Sequence, residues 1–204
     1  IGSGTDWTAV DTMGHTTCGL RGAGTLHCWG YNDNATVGNG TYVVQTAPVQ
    51  IGASLWTQVS GFDDHACGIR SGALYCWGSN GVGQHGDGTT NDHPTPTRIG
   101  ALSDWTEISA GGSHTCGRRA GALYCWGDAL GGKLGNGTST STPTLTPLRI
   151  GTASDWSELS VGWNHSCGYR SDGPYCWGMN QEGQLGDNSI TNRLSPILIT
   201  LPAP

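Results

Sequence analysis

Four cysteine pairs are the residues best equipped for chemistry in this chain: Cys18 and Cys28, Cys67 and Cys76, Cys116 and Cys125, Cys167 and Cys176. A histidine stands two residues before Cys67, Cys116 and Cys167, and a tryptophan follows each second cysteine directly. Such thiols could ligate zinc with the histidines, react as nucleophiles, or close as disulfides. Zinc cysteines normally lie two to four residues apart within a half-site, and these lie nine or ten apart. Histidine and cysteine at i and i+2 nevertheless share a strand face, so geometry alone leaves a metal open. A reactive thiol needs its pKa lowered by a fixed cation or a helix terminus, and the sequence fixes neither beside these pairs.

The elements that must position the cysteines are short strands. In the stretch 56–100, "WTQVS", "HACGIR", "ALYCWG" and "PTRIG" read as strands, with a Gly-, Asn- and Asp-rich loop before the last. No stretch has a 3.6-residue apolar period, so no helix is expected. With Ser71-Gly72 as a two-residue turn, Arg70 faces Ala73 and Cys67 faces Cys76. If the Arg70–Ala73 pair is hydrogen-bonded, the cysteines occupy a non-hydrogen-bonded pair, with Cα atoms about 4.5 Å apart. That lies within reach of a disulfide. Ala120-Gly121 sets the same register, Gly22-Ala23-Gly24 fits a three-residue turn, and Pro174 removes one ladder donor from the fourth hairpin.

These strands recur. The first cysteines are spaced 49, 49 and 51 residues apart, and Trp7, Trp56, Trp105 and Trp156 open successive units. Trp163 alone among nine tryptophans falls outside the repeat. A 20–50-residue period marks a solenoid, propeller or array. The expected architecture is all-β: a propeller-like array of four four-stranded blades, each with a cross-strand disulfide. The units run over 3–52, 53–100, 101–151 and 152–204 within one repeat domain, 1–204. Net charge is −6, with eight arginines and the single Lys133 spread along the chain. No basic patch can form for nucleic acid or for an anionic membrane surface. No apolar run is long enough to span a bilayer. Paired cysteines place the chain in an oxidising, extracellular compartment.

The pattern W-x-x-(I/V/L)-S-x-G, H-x-C-G and LYCWG-x-N-x-x-G-Q-L-G resembles the regulator of chromosome condensation repeat. "WGMNQEGQLGDN" (177–188) matches best, and "WGSNGVGQHGDG" (77–88) follows, with His85 in place of the usual leucine. The cysteine-bearing form looks like the secreted, mostly microbial branch. The resemblance implies a β-propeller, usually of seven four-stranded blades, and a habit of binding proteins. The founding member's nuclear exchange activity on a small GTPase is not expected of an acidic, disulfide-bearing chain.

Ile1-Gly2 match the unit ends Ile51-Gly52, Ile99-Gly100 and Ile150-Gly151, so the chain opens with the tail of a unit. The β-branched segment 196–202 holds Ile197, Leu198 and Ile199, which an exposed edge strand would offer for pairing. Three arrangements satisfy such ends: closure of the four blades on themselves, membership of a longer propeller, or pairing with another copy, with closure and self-assembly equally compatible with repeat physics. Ring or filament formation through that edge, giving a structural or adhesive protein, is the leading functional expectation. The alternative is a secreted module that binds a protein or glycan through loop aromatics such as Tyr31, Tyr42 and Trp163. Asn34, Asn39, Asn136 and Asn164 head N-glycosylation sequons, and the Thr-rich run 138–147 resembles an O-glycosylated loop. Asn39 and Asn136 also align with Asp87 and Asp187 as Asx-turn residues. His15, His65, His114 and His165 recur with the scaffold and are expected to hydrogen-bond structurally, a metal or ligand ring being the alternative. No acid, base and nucleophile set breaks the repeat, so neither catalysis nor a cofactor is expected. Under denaturing conditions all eight cysteines should take up alkylating agent only after reduction. Mass spectrometry showing uptake before reduction would remove the compartment argument.

Overall fold

Each unit is organised by the turn of its central hairpin. Ser71 and Gly72 adopt φ of 49° and 73°, and Ala120 and Gly121 adopt 47° and 72°. Two successive positive φ values match the twist of a tight hairpin, which sets Cys67 opposite Cys76 and Cys116 opposite Cys125. The three-residue turn at 22–24 sets Cys18 opposite Cys28, and Cys167 faces Cys176 although Pro174 stands opposite Tyr169. All four pairs are disulfides with Cα atoms 4.0–4.1 Å apart, and no cysteine is free.

The computed structural model describes residues 4–200, so the reading of Ile1-Gly2 and the end of the 196–202 segment lie outside it. Strands β1 (Trp7–Met13), β2 (Thr16–Arg21), β3 (Thr25–Gly30) and β4 (Gln45–Leu55) form the first antiparallel sheet. The second holds β5 (Gln58–Phe62), β6 (His65–Arg70), β7 (Ala73–Gly78) and β8 (His93–Arg98). β9 (Trp105–Ala110), β10 (His114–Arg119), β11 (Ala122–Gly127) and β12 (Thr144–Arg149) form the third. β13 (Glu158–Val161), β14 (His165–Arg170), β15 (Gly173–Gly178) and β16 (Arg193–Leu198) form the fourth. Each sheet is a meander and forms one propeller blade. β8 begins at His93, inside the stretch read from sequence as loop, because His93 pairs with Gly78.

A buried asparagine shapes the loop after the third strand in three blades. Asn80 Oδ1 accepts from His85 N, and its Nδ2 donates to Thr89 O and Asn91 O. Asn32 and Asn180 do the same in their blades. The third blade has Ala129 there, and its loop folds instead through a 3₁₀ turn at Leu130–Gly132, with Leu130 N donating to Asp128 Oδ1.

Neighbouring blades are latched by tryptophan. Trp77, Trp126 and Trp177 are fully buried, and their indole N–H groups donate to Thr36 O, Gln84 O and Lys133 O of the preceding blade. Gly38, Gly86 and Gly135 lie beneath these rings at φ of 80°, 78° and 74°, where a Cβ would sit within 2.8 Å of the indole. Only glycine meets both demands. Each opening tryptophan meets the latch tryptophan of its own blade edge-on, and an arginine lies over it in every blade. The innermost strands pack in series, β1 on β5, β5 on β9 and β9 on β13, with no comparable packing of β13 on β1 among the described residues. Trp126→Phe should lower unfolding free energy by about 1–3 kcal/mol in urea titrations, from lost volume and a lost buried hydrogen bond. An unchanged midpoint would mean that the latch does not hold the blades.

Candidate functional site

The inter-blade contact is built from four layers, each visible at the second-to-third and third-to-fourth junctions. Closest to the axis, a side chain of one blade caps backbone N–H groups of the next: Gln58 Oε1 accepts from Ile108 N, Ser60 Oγ from Ala110 N, Glu107 Oε1 from Leu159 N and Ser109 Oγ from Val161 N. Next comes a histidine–hydroxyl pair. His65 Nε2 lies 2.9 Å from Thr115 Oγ1 and His114 Nε2 lies 2.8 Å from Ser166 Oγ. Those hydroxyls donate to Gln84 O and Lys133 O, so the histidine nitrogen must be the N–H donor. The same carbonyls accept the tryptophan latch. Outermost, Gly88 N and Gly137 N donate to Leu145 O and Leu194 O of the following blade.

Of the four histidines expected to recur, three do. His65, His114 and His165 stand opposite the glycine that ends the third strand, whereas Thr16 holds that position in the first blade. His15 is one residue out of register, in the exposed β1–β2 turn. Burial pushes His65 and His114 down to about 3, aided by His85 beside the first and Lys133 beside the second. Burial also lowers His165, which is only partly covered.

The first and fourth blades each present one half of this contact. Val10 is 66 % exposed, while its counterparts Val59, Ile108 and Leu159 are at most 8 % exposed. Trp29 is partly exposed where the other latch tryptophans are buried. Across the fourth blade, Tyr169 is exposed and Cys167 partly so, in contrast to the buried Ile69, Cys67 and Cys116. A Cβ on Gly186 would meet only Ile199 Cγ2, at 3.7 Å, where the equivalent glycines meet an indole. Ile197 and Leu198 pair with Cys176 and Tyr175 inside the fourth sheet, and Ile199 N donates to Pro174 O.

Antiparallel strands bring the β1–β2-type turns and the loops after the third strands to one end of the array. That loop end carries Tyr31, Tyr42 and Trp163, all exposed, with Trp163 edge-on to Phe62 of the second blade. It also carries the four sequon asparagines. Asn39 and Asn136 accept from Thr41 and Thr138 in Asx turns, as Asp87 and Asp187 do from Thr89 and Ser189. Asn34 Nδ2 donates to Asp64, Thr36 of its sequon is buried, and Asn164 Oδ1 accepts from Lys133 Nζ. The arginines are spent internally: Arg118 on Glu107, Arg119 on Asp104, Arg170 on Asp155, Arg193 on Asp187. No described helix is long and apolar enough to cross a membrane.

The model of the regulator of chromosome condensation (RCC1) repeat matches residues 71–117, 120–169 and 174–203. The chain belongs to the RCC1 repeat family. Among solved structures, human WBSCR16 superposes with a TM-score of 0.88 at 20 % identity, over 99 % of this chain and 55 % of that one. Prp20p of Saccharomyces cerevisiae, described with its binding properties to Gsp1p and histones, gives 0.86 at 17 % identity over 98 % and 52 %. The chain thus spans about half the length of these two structures, and the likeness is one of fold. No curated protein sequence matches it.

His114 makes the junction pH-sensitive. Its folded pKa of about 3 lies below the ordinary unfolded value near 6.5, so its contribution is complete above pH 6.5 and is lost as pH falls toward 3. The slope is about 1.4 kcal/mol per pH unit for each such histidine. His114→Gln should flatten the stability–pH profile between pH 6 and 4 by about one proton, and an unaltered slope would show that His114 is not held neutral.

Proposed function

We propose that this RCC1 repeat chain is an extracellular, non-catalytic binding module whose partner is a second copy of itself, docked blade face to blade face. The observation that carries the reading is the complementarity of the first and fourth blade faces. His165 Nε2 would donate to Thr17 Oγ1, which flanks Trp29 as Thr115 flanks Trp126. Gln184 O stands where Gln84 O and Lys133 O stand, and would accept from Trp29 Nε1. Glu158 and Ser160 occupy the places of Glu107 and Ser109, and would accept from Val10 N and Thr12 N. Asn188, with φ of 58°, replaces the loop glycine and would donate to Thr46 O.

The reading keeps assembly as the function and moves the contact from the Ile197–Ile199 edge to the blade faces, where buried area and hydrogen bonds are already templated within the chain. Disulfides in every blade support an oxidising compartment. Asn39 and Asn136, in exposed loops with their amide nitrogens free of the Asx turn, are the sequons best placed to carry glycan. A second reading, capture of a protein at the loop end, is favoured by the exposed Trp163 and its Phe62 neighbour.

Sedimentation at about 10–100 µM should give twice the monomer mass. Val10→Asp and Tyr169→Asp, each exposed in the single chain, should leave stability within about 0.5 kcal/mol and weaken association at least ~100-fold by burying an unpaired charge. A monomer throughout that range would overturn the proposal. So would assembly that ignores both substitutions, and its loss on Leu198→Lys would then return the contact to the edge strand.

A further inference from the structure

One cluster breaks the repeat with residues that bind metals. In the loop after β7, His85 occupies a core position held elsewhere by Val37, Leu134 and Leu185. Its ring is fully buried, and neither Nδ1 nor Nε2 has a hydrogen-bond partner. An apolar residue is standard there and would leave no nitrogen orphaned, so the imidazole needs an explanation beyond packing. Asp87 and His93 lie beside it. The ring of His93 is near-parallel to that of His85 with centroids 5.3 Å apart, and His93 Nε2 is 2.7 Å from Asp87 Oδ2. One ligand atom from each of the three residues lies within 4.8 Å of the others.

No other blade has this set. The equivalent positions read Val37, Asn39, Gln45 in the first, Leu134, Asn136, Thr144 in the third and Leu185, Asp187, Arg193 in the fourth. In the fourth, an arginine–aspartate ion pair fills the same place. The second blade therefore differs from the fourth at two positions together, a leucine-type core site and the first residue of its outer strand, and both differences place imidazole around the carboxylate that the two blades share as Asp87 and Asp187.

We propose that His85, Asp87 and His93 bind one divalent transition-metal ion of the zinc class. Two imidazoles and one carboxylate suit zinc with a water in the fourth position, and do not suit the all-oxygen preferences of calcium or magnesium. The carboxylate is already oriented, because Asp87 Oδ1 accepts from Thr89 N and Thr89 Oγ1. Such outer contacts are what fix a ligand for metal binding. His93 is partly exposed at the start of β8 and supplies the route from solvent. Its contact with Asp87 is shorter than the separation of two ligands around zinc, so the ion enters by parting that pair. Bound there, zinc would tie the loop after β7 to β8 and brace the carbonyl of Gln84, which holds the third blade's tryptophan latch.

The test uses the chelator-stripped, disulfide-intact chain titrated with zinc chloride and followed by calorimetry and thermal melting. One ion per chain and a melting temperature raised by several degrees at saturation are expected. His85→Leu restores the residue of the third and fourth blades, so it should fold, match or exceed the metal-free wild type in melting temperature, and weaken zinc binding at least tenfold. His93→Thr should weaken it similarly. No binding up to about 100 µM zinc, or binding unchanged in both variants, would overturn the assignment and leave the His85 nitrogens to a buried water.

Discussion

The indole N–H to carbonyl bond between blades is the contact on which the rest of this structure depends. A four-stranded antiparallel blade has two faces, and at each junction the face that meets its neighbour must bury a tryptophan and still satisfy its N–H. The latch solves both needs at once. It satisfies the one polar atom of a large apolar side chain, and it does so with a main-chain carbonyl that no side-chain substitution removes. The glycine beneath each ring, with its positive φ, exists because the ring must come that close. The hydroxyl of the histidine–hydroxyl pair makes a second use of the same carbonyl, so two side chains of the following blade converge on it: Thr115 and Trp126 on Gln84 O, Ser166 and Trp177 on Lys133 O. Disulfides act within blades and the latch acts between them. The first kind of bond could hold without the second, but an array could not.

Because every junction reuses one template, the two outermost faces inherit its halves. Val10 and Trp29 belong to the receiving half, His165 and Gly186 to the giving half. The internal junctions thereby state what chemistry would cover each face, which is seldom known for an exposed apolar surface. An edge strand offers only generic backbone pairing. A blade face offers a register, a tryptophan seat and a histidine donor, and so selects another blade of its own kind.

Much of this was legible in the sequence, for a physical reason. A two-residue turn fixes hairpin register, so Ser71-Gly72 places Cys67 opposite Cys76 without reference to anything distant. Repeat spacing then carries the result to all four blades. Sequence reading failed where the relevant distance is not local. Residue type aligns His15 with the later histidines, yet the hairpin register puts Thr16 in that place, since register counts from the cysteine and not from the nearest imidazole. Asn32, Asn80 and Asn180 are polar loop residues by sequence, and only the folded loop shows each of them buried and holding it together from inside. His85 was visible as a departure from leucine, but its neighbours were not. Asp87 and His93 reach it only because Asn80 folds the loop back on itself and His93 pairs with Gly78.

That last case marks where function can enter a repeat protein. Identical blades give identical sites, which serve stability and not discrimination. A site for one ion needs residues that the other copies lack, and their cost must be tolerable in a frame held by everything else. In the second blade the frame is the latch on both sides, Trp77 against the first blade and Trp126 against the second. Between those two anchors a leucine can become a histidine without the array coming apart. An unsatisfied buried imidazole at such a place is what a ligand, and not packing, would select.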